Sequence, residues 1–353
     1  MQAKQNVRDF SPQFHLFVHG HGAVSSAGIN AQALYRACAG RELIPTIELE
    51  RKAGEKTISY SHRPVDAKAL RAAMPKHARL RRASNVSKYA VTAAHEAIGP
   101  ERLERMKNGQ LRIGIVLTFL NGCVNYSNRF FSEVLEDPNF ASPILFPETV
   151  FNAPASHIAA YLECDGPVYT LIGDSATWFS ALNVAEEWIS SDQVDGCLVL
   201  CAEEIDWLTL EGLRYYSRNL IATEGAAAVY VEARPSAISV ENIHGPYSYN
   251  DNTQRRIAVA DAWDAVEKGG GGVLIDGLTH VPRLDRDELS ATESWEGERI
   301  SPAGILGEGM GIRCGFQTVA AIEALYAGHE SALVLASGGN QHAFSAKFTR
   351  SNP

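Results

Sequence analysis

Residues 169–180 read Tyr169-Thr-Leu-Ile-Gly-Asp-Ser-Ala-Thr-Trp-Phe-Ser180, a β-branched and apolar run that breaks at Gly173 and passes directly into helix-forming sequence. The run predicts a strand, and Asp174 and Ser175 stand where a helix begins that continues through Ile189. A junction of this kind sets hydroxyls and a carboxylate beside the free N–H groups of a helix N-terminus, where developing negative charge is favoured. Asp and Ser are also the commonest N-caps, so capping is the stronger reading of the junction taken by itself.

The alternation of strand and helix extends outward from this point. Upstream, residues 14–20 predict a first strand, Ala31 to Cys38 a helix stopped at Gly40, and residues 111–118 a second strand. Ser84 or Asn85 caps a helix through Ala97, whereas residues 41–82 are charge-rich and irregular. Downstream, Cys197-Leu-Val-Leu-Cys-Ala202 is an apolar run of the kind buried on both faces of a sheet, and residues 226–232 form another. The order then repeats, with strands at 238–243, 272–275 and 332–336 and helices at 256–266 and 316–326. Two like-ordered α/β halves are expected, dividing near Arg234-Pro235 into residues 1–235 and 236–353.

Composition removes several functions. The 353 residues are 45% hydrophobic and 21% charged, and 41 acidic against 32 basic residues leave a net charge of −9. That balance disfavours nucleic acid, the clusters Arg79-Leu80-Arg81-Arg82 and Arg255-Arg256 being local. No stretch approaches the roughly 20 apolar residues of a membrane span. The six cysteines lack CxxC spacing, so neither a zinc site nor a disulfide framework is read, and a reducing, cytoplasmic setting fits. Cys197 and Cys201 read as core. The polar N-terminus lacks the pattern of a secretion signal. No pair of the 11 histidines has the helical i, i+4 spacing with a carboxylate that marks a metal site, so no metal and no cofactor are expected. The run Gly269–Gly272 precedes a strand and reads as a turn, not as a phosphate loop. Gly173 to Thr177 does not complete the G-x-S-x-G elbow of a serine hydrolase.

Several blocks, taken in order, resemble the β-ketoacyl synthase family, the thiolase-like enzymes that elongate acyl chains on an acyl carrier protein. Gly20-His-Gly-Ala-Val-Ser-Ser-Ala-Gly28 is similar to the family's G-x-G-x-V-S-P-x-G, and Arg82 to Ala97 to its R-x-x-x-x-x-x-Y-A-x-x-A-A-x-E-A helix. Asn152 to Ala159 and Gly166 to Leu171 resemble the segments before the active-site elbow, and residues 223–232 resemble the G-E-G-A strand. Gly307-Glu-Gly-Met-Gly311 looks like the G-H-x-x-G helix start and Ser337-Gly-Gly-Asn-Gln341 like the F-G-G-x-N turn. The resemblance implies an α/β thiolase-like fold, two similar halves packed as an α-β-α-β-α sandwich, the first half carrying the cap and dimerisation insertions.

It also implies where catalysis would sit, and there the residues depart. Asp174-Ser175-Ala176 laid on the D-T-A-C-S-S motif puts Thr177 in place of the nucleophilic cysteine. The first family histidine falls near Leu278, with His280 two residues away, and the second falls on Glu308; the lysine before it becomes Ala303 or Gly304. Claisen condensation needs a sulfur to carry the acyl chain and imidazoles to assist decarboxylation, so Thr177, Leu278 and Glu308 remove each component. The P-F-D-x-x-R-D-G-F stretch expected between Ile205 and Thr223 is missing as well.

The leading expectation is therefore a non-catalytic, chain-length-factor-like subunit of a fatty acid or polyketide system, aryl polyene systems included. It would pair with an active β-ketoacyl synthase or with itself and meet an acyl carrier protein. By the resemblance, Tyr169, Thr170, Leu171 and Ile172 form the dimer strand, while Trp178, Phe179, Ser337, Gly338 and Gly339 shape the acyl pocket. Two further expectations stand beside it. One is an acyltransferase or hydrolase using Thr177 or Ser175 with Glu308 as base; the other is an adaptor that kept only the fold.

Overall fold

Strand-forming runs that are apolar at every position need cover on both faces, and the chain supplies it with helices. The computed structural model describes residues 15–269, 271–339 and 341–351. Phe14 of the first expected strand, Gly270 of the glycine run and Asn340 of the 337–341 turn lie outside the described residues.

The first half runs β1 (Leu16–Val24), α1 (Ala31–Ala39), β2 (Ile47–Ala53), β3 (Lys56–Arg63), α2 (Ala67–Ala73), α3 (Asn85–Lys107) and β4 (Ile113–Phe119). It continues with α4 (Val124–Glu136), α5 (Ala153–Leu162), β5 (Val168–Ile172), α6 (Thr177–Ser190), β6 (Gly196–Glu203), α7 (Trp207–Tyr216), β7 (Ala222–Thr223) and β8 (Gly225–Glu232). The second half comprises β9 (Ile238–Ser248), α8 (Asn252–Ala265), β10 (Val273–Ile275), α9 (Pro282–Ala291) and β11 (Glu298–Ile300). It ends with α10 (Pro302–Leu306), α11 (Arg313–Tyr326), β12 (Ser331–Ser337) and β13 (His342–Arg350).

Ten strands form one sheet in the order β11-β10-β12-β13-β9-β1-β8-β6-β4-β5. Each half repeats one topology: its first strand pairs antiparallel with its last, the last antiparallel with its fourth, and the second lies parallel between the fourth and third. Within the large sheet, among the described residues, the halves meet where Leu16–Val18 pairs with Ile238–Val240.

Side-chain alternation sorts the strands into layers. From β6, Cys197, Val199 and Cys201 join α6 and α11 in a central core that also takes Val334 and Ala336 of β12 and Phe344 of β13. Their neighbours Leu198, Leu200 and Ala202 face α3 and α5, while Leu333 and Leu335 face α8. The layers are thus α3 and α5, the first half-sheet, α6 and α11, the second half-sheet, and α8, which is the expected α-β-α-β-α sandwich. The close seat of α3 on β1 requires glycine: a Cβ on Gly20 would lie 1.9 Å from Ala97 O and one on Gly22 2.4 Å from Ala93 O.

The local expectations meet three physical corrections. Residues 41–82, read as irregular, contain the β2–β3 hairpin and α2, whose alternation is blunted because most of β2 is exposed. The helix expected to end at Ala97 is continued to Lys107 beyond a kink at Gly99, which has φ 70° and is followed by Pro100. At the decisive junction the helix opens at Thr177, with Ala176 at the cap position, so Asp174 and Ser175 precede it. Ser84 does cap α3, accepting from Ser87 N.

Candidate functional site

The ends of β5, β10 and β12 and the starts of α6, α8, α9 and α11 surround a cavity of about 830 Å3. Its floor is polar. Arg313, the first residue of α11, donates from Nη1 to Glu308 Oε2 (2.9 Å), from Nη2 to Ser175 Oγ (3.2 Å) and to the carbonyl of Ser337. The pair is largely closed to water, with Arg313 and Glu308 side chains 11% and 10% exposed. The second Glu308 oxygen accepts Met310 N–H at 2.7 Å, and the Glu308 main chain is stitched to Ile221 and Thr223.

Around this pair the acids are engaged. Glu288 accepts Gly277 N–H (2.9 Å) and the Ser337 hydroxyl, which also accepts Arg255 Nη2 at 2.9 Å. Asp285 takes the main-chain N–H and hydroxyl of Thr279. Asp276, buried under the site, binds Arg299 at 2.9 Å, yet burial still pushes its carboxyl up to about 6. Asp174 lies against the 337–339 turn so closely that a Cβ on Gly338 would fall 2.1 Å from its Oδ2, so glycine is required there.

Ser175, Glu308, Gly338 and Gly339 all line this cavity, together with Asp174 and Arg313. Ser337 sits just behind them, nearly fully buried. Thr177 opens α6 beneath the lining, its hydroxyl against Gly173. Leu278 is buried and outside the lining; its neighbour Gly277 faces the cavity instead. His280, at φ 62°, packs its ring on Gly304. Trp178 and Phe179 are fully buried in the central layer, Phe179 stacked on Phe344, and neither reaches the lining. Tyr169, Thr170, Leu171 and Ile172 belong to β5, the edge strand of the large sheet, with Tyr169 and Ile172 each 54% exposed.

Among the described lining residues there is neither a cysteine nor a histidine. All six cysteines are free, and burial pushes their thiols up, those of Cys123 and Cys314 to about 12, so none is a ready thiolate.

Sequence reasoning missed Arg313, because its partners Ser175 and Ser337 are distant in the chain. It also missed three buried glutamates beside the site. Glu203, at the end of β6, accepts the N–H groups of Leu120 and Asn121; Glu204 accepts those of Val86 and Asn125; Glu224 accepts those of Val65 and Ile205. Burial raises all three, Glu203 to about 8 and Glu204 to about 7, with repulsion from Glu204 adding to the first and from Glu224 to the second. Two acids closing the apolar run Cys197–Ala202 were the available signal.

No family model matches the sequence, and no curated protein does. Solved structures do. A chain of the structure described as the ishigamide ketosynthase/chain length factor has TM-score 0.76 at 17% identity, over 96% of this chain and 100% of that chain. A chain of the ketosynthase (ApeO) in complex with its chain length factor (ApeC) from Xenorhabdus doucetiae has TM-score 0.78 at 14% identity, over 97% and 100%. A third comes from the AntDE:AntF structure, a type II PKS acyl-carrier protein in complex with its ketosynthase bound to the hexaketide. It has TM-score 0.76 at 16% identity, over 96% and 99%. The chain has the thiolase-like fold of these ketosynthase and chain length factor structures. Among the described residues no helix is long and apolar enough to cross a membrane.

Proposed function

We propose that this chain is a ketosynthase-like subunit that does not condense acyl chains itself, and that it acts as the chain-length-factor-type partner of an active ketosynthase in fatty acid or polyketide assembly. The observation that carries the reading is the Arg313–Glu308 pair in a cavity whose described lining offers no thiol and no imidazole. Acyl transfer to a hydroxyl needs a nearby base, and both Glu308 oxygens are already occupied by donors. Ser175 receives a hydrogen bond from Arg313, which draws electron density from its oxygen instead of activating it.

Pairing is served by β5. Its outer edge is unpaired within the described chain and carries exposed Tyr169 and Ile172, a combination that invites strand addition from a second subunit. Co-expression with an active ketosynthase is expected to give a one-to-one complex in native mass spectrometry. Ile172→Lys, placed on an exposed side chain, is expected to weaken that complex at least about ten-fold without altering the fold of the single chain. Purification of the chain with an unrelated protein and no ketosynthase would favour the adaptor instead.

A further inference from the structure

The same cavity carries an imbalance that the pairing function does not use. Its acids are engaged inside the protein: Glu308 with Arg313, Glu288 with Gly277 and Ser337, Asp285 with Thr279, Asp287 with Arg255, and Asp174 with Ala176 N–H. The arginines at its mouth are not so engaged. Arg256, the fifth residue of α8, and Arg283 and Arg286, the second and fifth residues of α9, are exposed and make no ion pair among the described residues. Arg283 spends one N–H on the Tyr216 carbonyl. On a chain of net charge −9, three unpaired guanidinium groups around one opening are a local exception.

Two further features point inward. Arg313 Nε is buried and has no hydrogen-bond partner, and it lies beside Gly277, where a Cβ would sit 3.5 Å from it. A donor is thus left over at the floor. The lining also has an apolar stretch, Leu213, Leu220, Tyr215, Tyr216 and Met310, which meets α9 where Arg283 donates to the Tyr216 carbonyl. An acyl tail alone would leave the guanidinium groups unmatched, whereas an anionic oxygen group suits their planar, forked donors.

We propose that this cavity binds a small organic oxyanion, a phosphate monoester or a carboxylate on an apolar body, with the charged group held by Arg256, Arg283 and Arg286 and the body against the tyrosine wall. The residues named for it all come from this chain. Calorimetric titration of the full chain with phenyl phosphate, benzoate and the neutral benzyl alcohol tests it, and the two anions separate the phosphate source from the carboxylate source. Saturable binding of one anion or both is expected, weakening with added salt. Arg256→Gln/Arg286→Gln, two exposed changes that a melting curve will show to leave the fold intact, is expected to weaken it at least about ten-fold. The proposal is overturned if neither anion saturates at millimolar concentration. It is equally overturned if the double variant binds as well as the parent, or if benzyl alcohol binds as tightly as the anions.

Discussion

Arg313→Ala is expected to lower the unfolding free energy by about 3–5 kcal/mol, because it strands the Glu308 carboxylate in a site that water scarcely reaches. The Ser337 carbonyl loses its donor at the same time. The comparison that isolates the pair is a cycle with Glu308→Leu and Arg313→Met: each single change costs heavily, and the double change recovers most of the loss, since a buried ion pair contributes little over an apolar replacement. Arg129→Ala is the control, because its exposed helical pair with Glu133 contributes no more than about 0.5 kcal/mol. Urea denaturation midpoints read all five variants. Equal losses for Arg313→Ala and Arg129→Ala would remove the ion pair as the feature that shapes the cavity.

Stability is expected to fall, by several kcal/mol, as pH rises from about 5 to 8.5. Glu203 and Glu204 hold their protons up to about 8 and about 7 in the folded chain, against 4.5 for an unperturbed glutamate. Between those limits the folded chain binds more protons than the unfolded one, so raising the pH favours unfolding. Asp276, pushed up to about 6, acts in the same direction. Thermal melts across this range are expected to show the decline, and Glu203→Gln to flatten it and raise the melting temperature at pH 8.5. A melting temperature that rises with pH would contradict the burial of these three acids as the governing effect.

The fold was largely legible because its signals are local and its core is dry. The apolar run at 197–202 became β6 nearly residue for residue, and the Ser84 cap placed the start of α3. Elements that escaped were those whose stability comes from elsewhere: α4 has no buried residue, and the β2–β3 hairpin is mostly exposed. The site was legible only in part. Asp174, Ser175, Glu308 and the 337–339 turn were singled out from motif order, and the structure brings them to one cavity. What they surround was hidden: Arg313 meets Ser175 across 138 residues, a contact made by the apposition of two half-sheets that no periodicity encodes.

The most direct test of the claim that this pocket has exchanged its nucleophile and imidazoles for an ion pair is the intact mass of the purified chain after incubation with malonyl- and acyl-carrier-protein thioesters. An unchanged mass is expected, with the same chain still entering a complex with an active ketosynthase. An acyl adduct that maps to Thr177 or Ser175, and disappears in the alanine variant, would contradict it and make the chain an acyl-transferring enzyme.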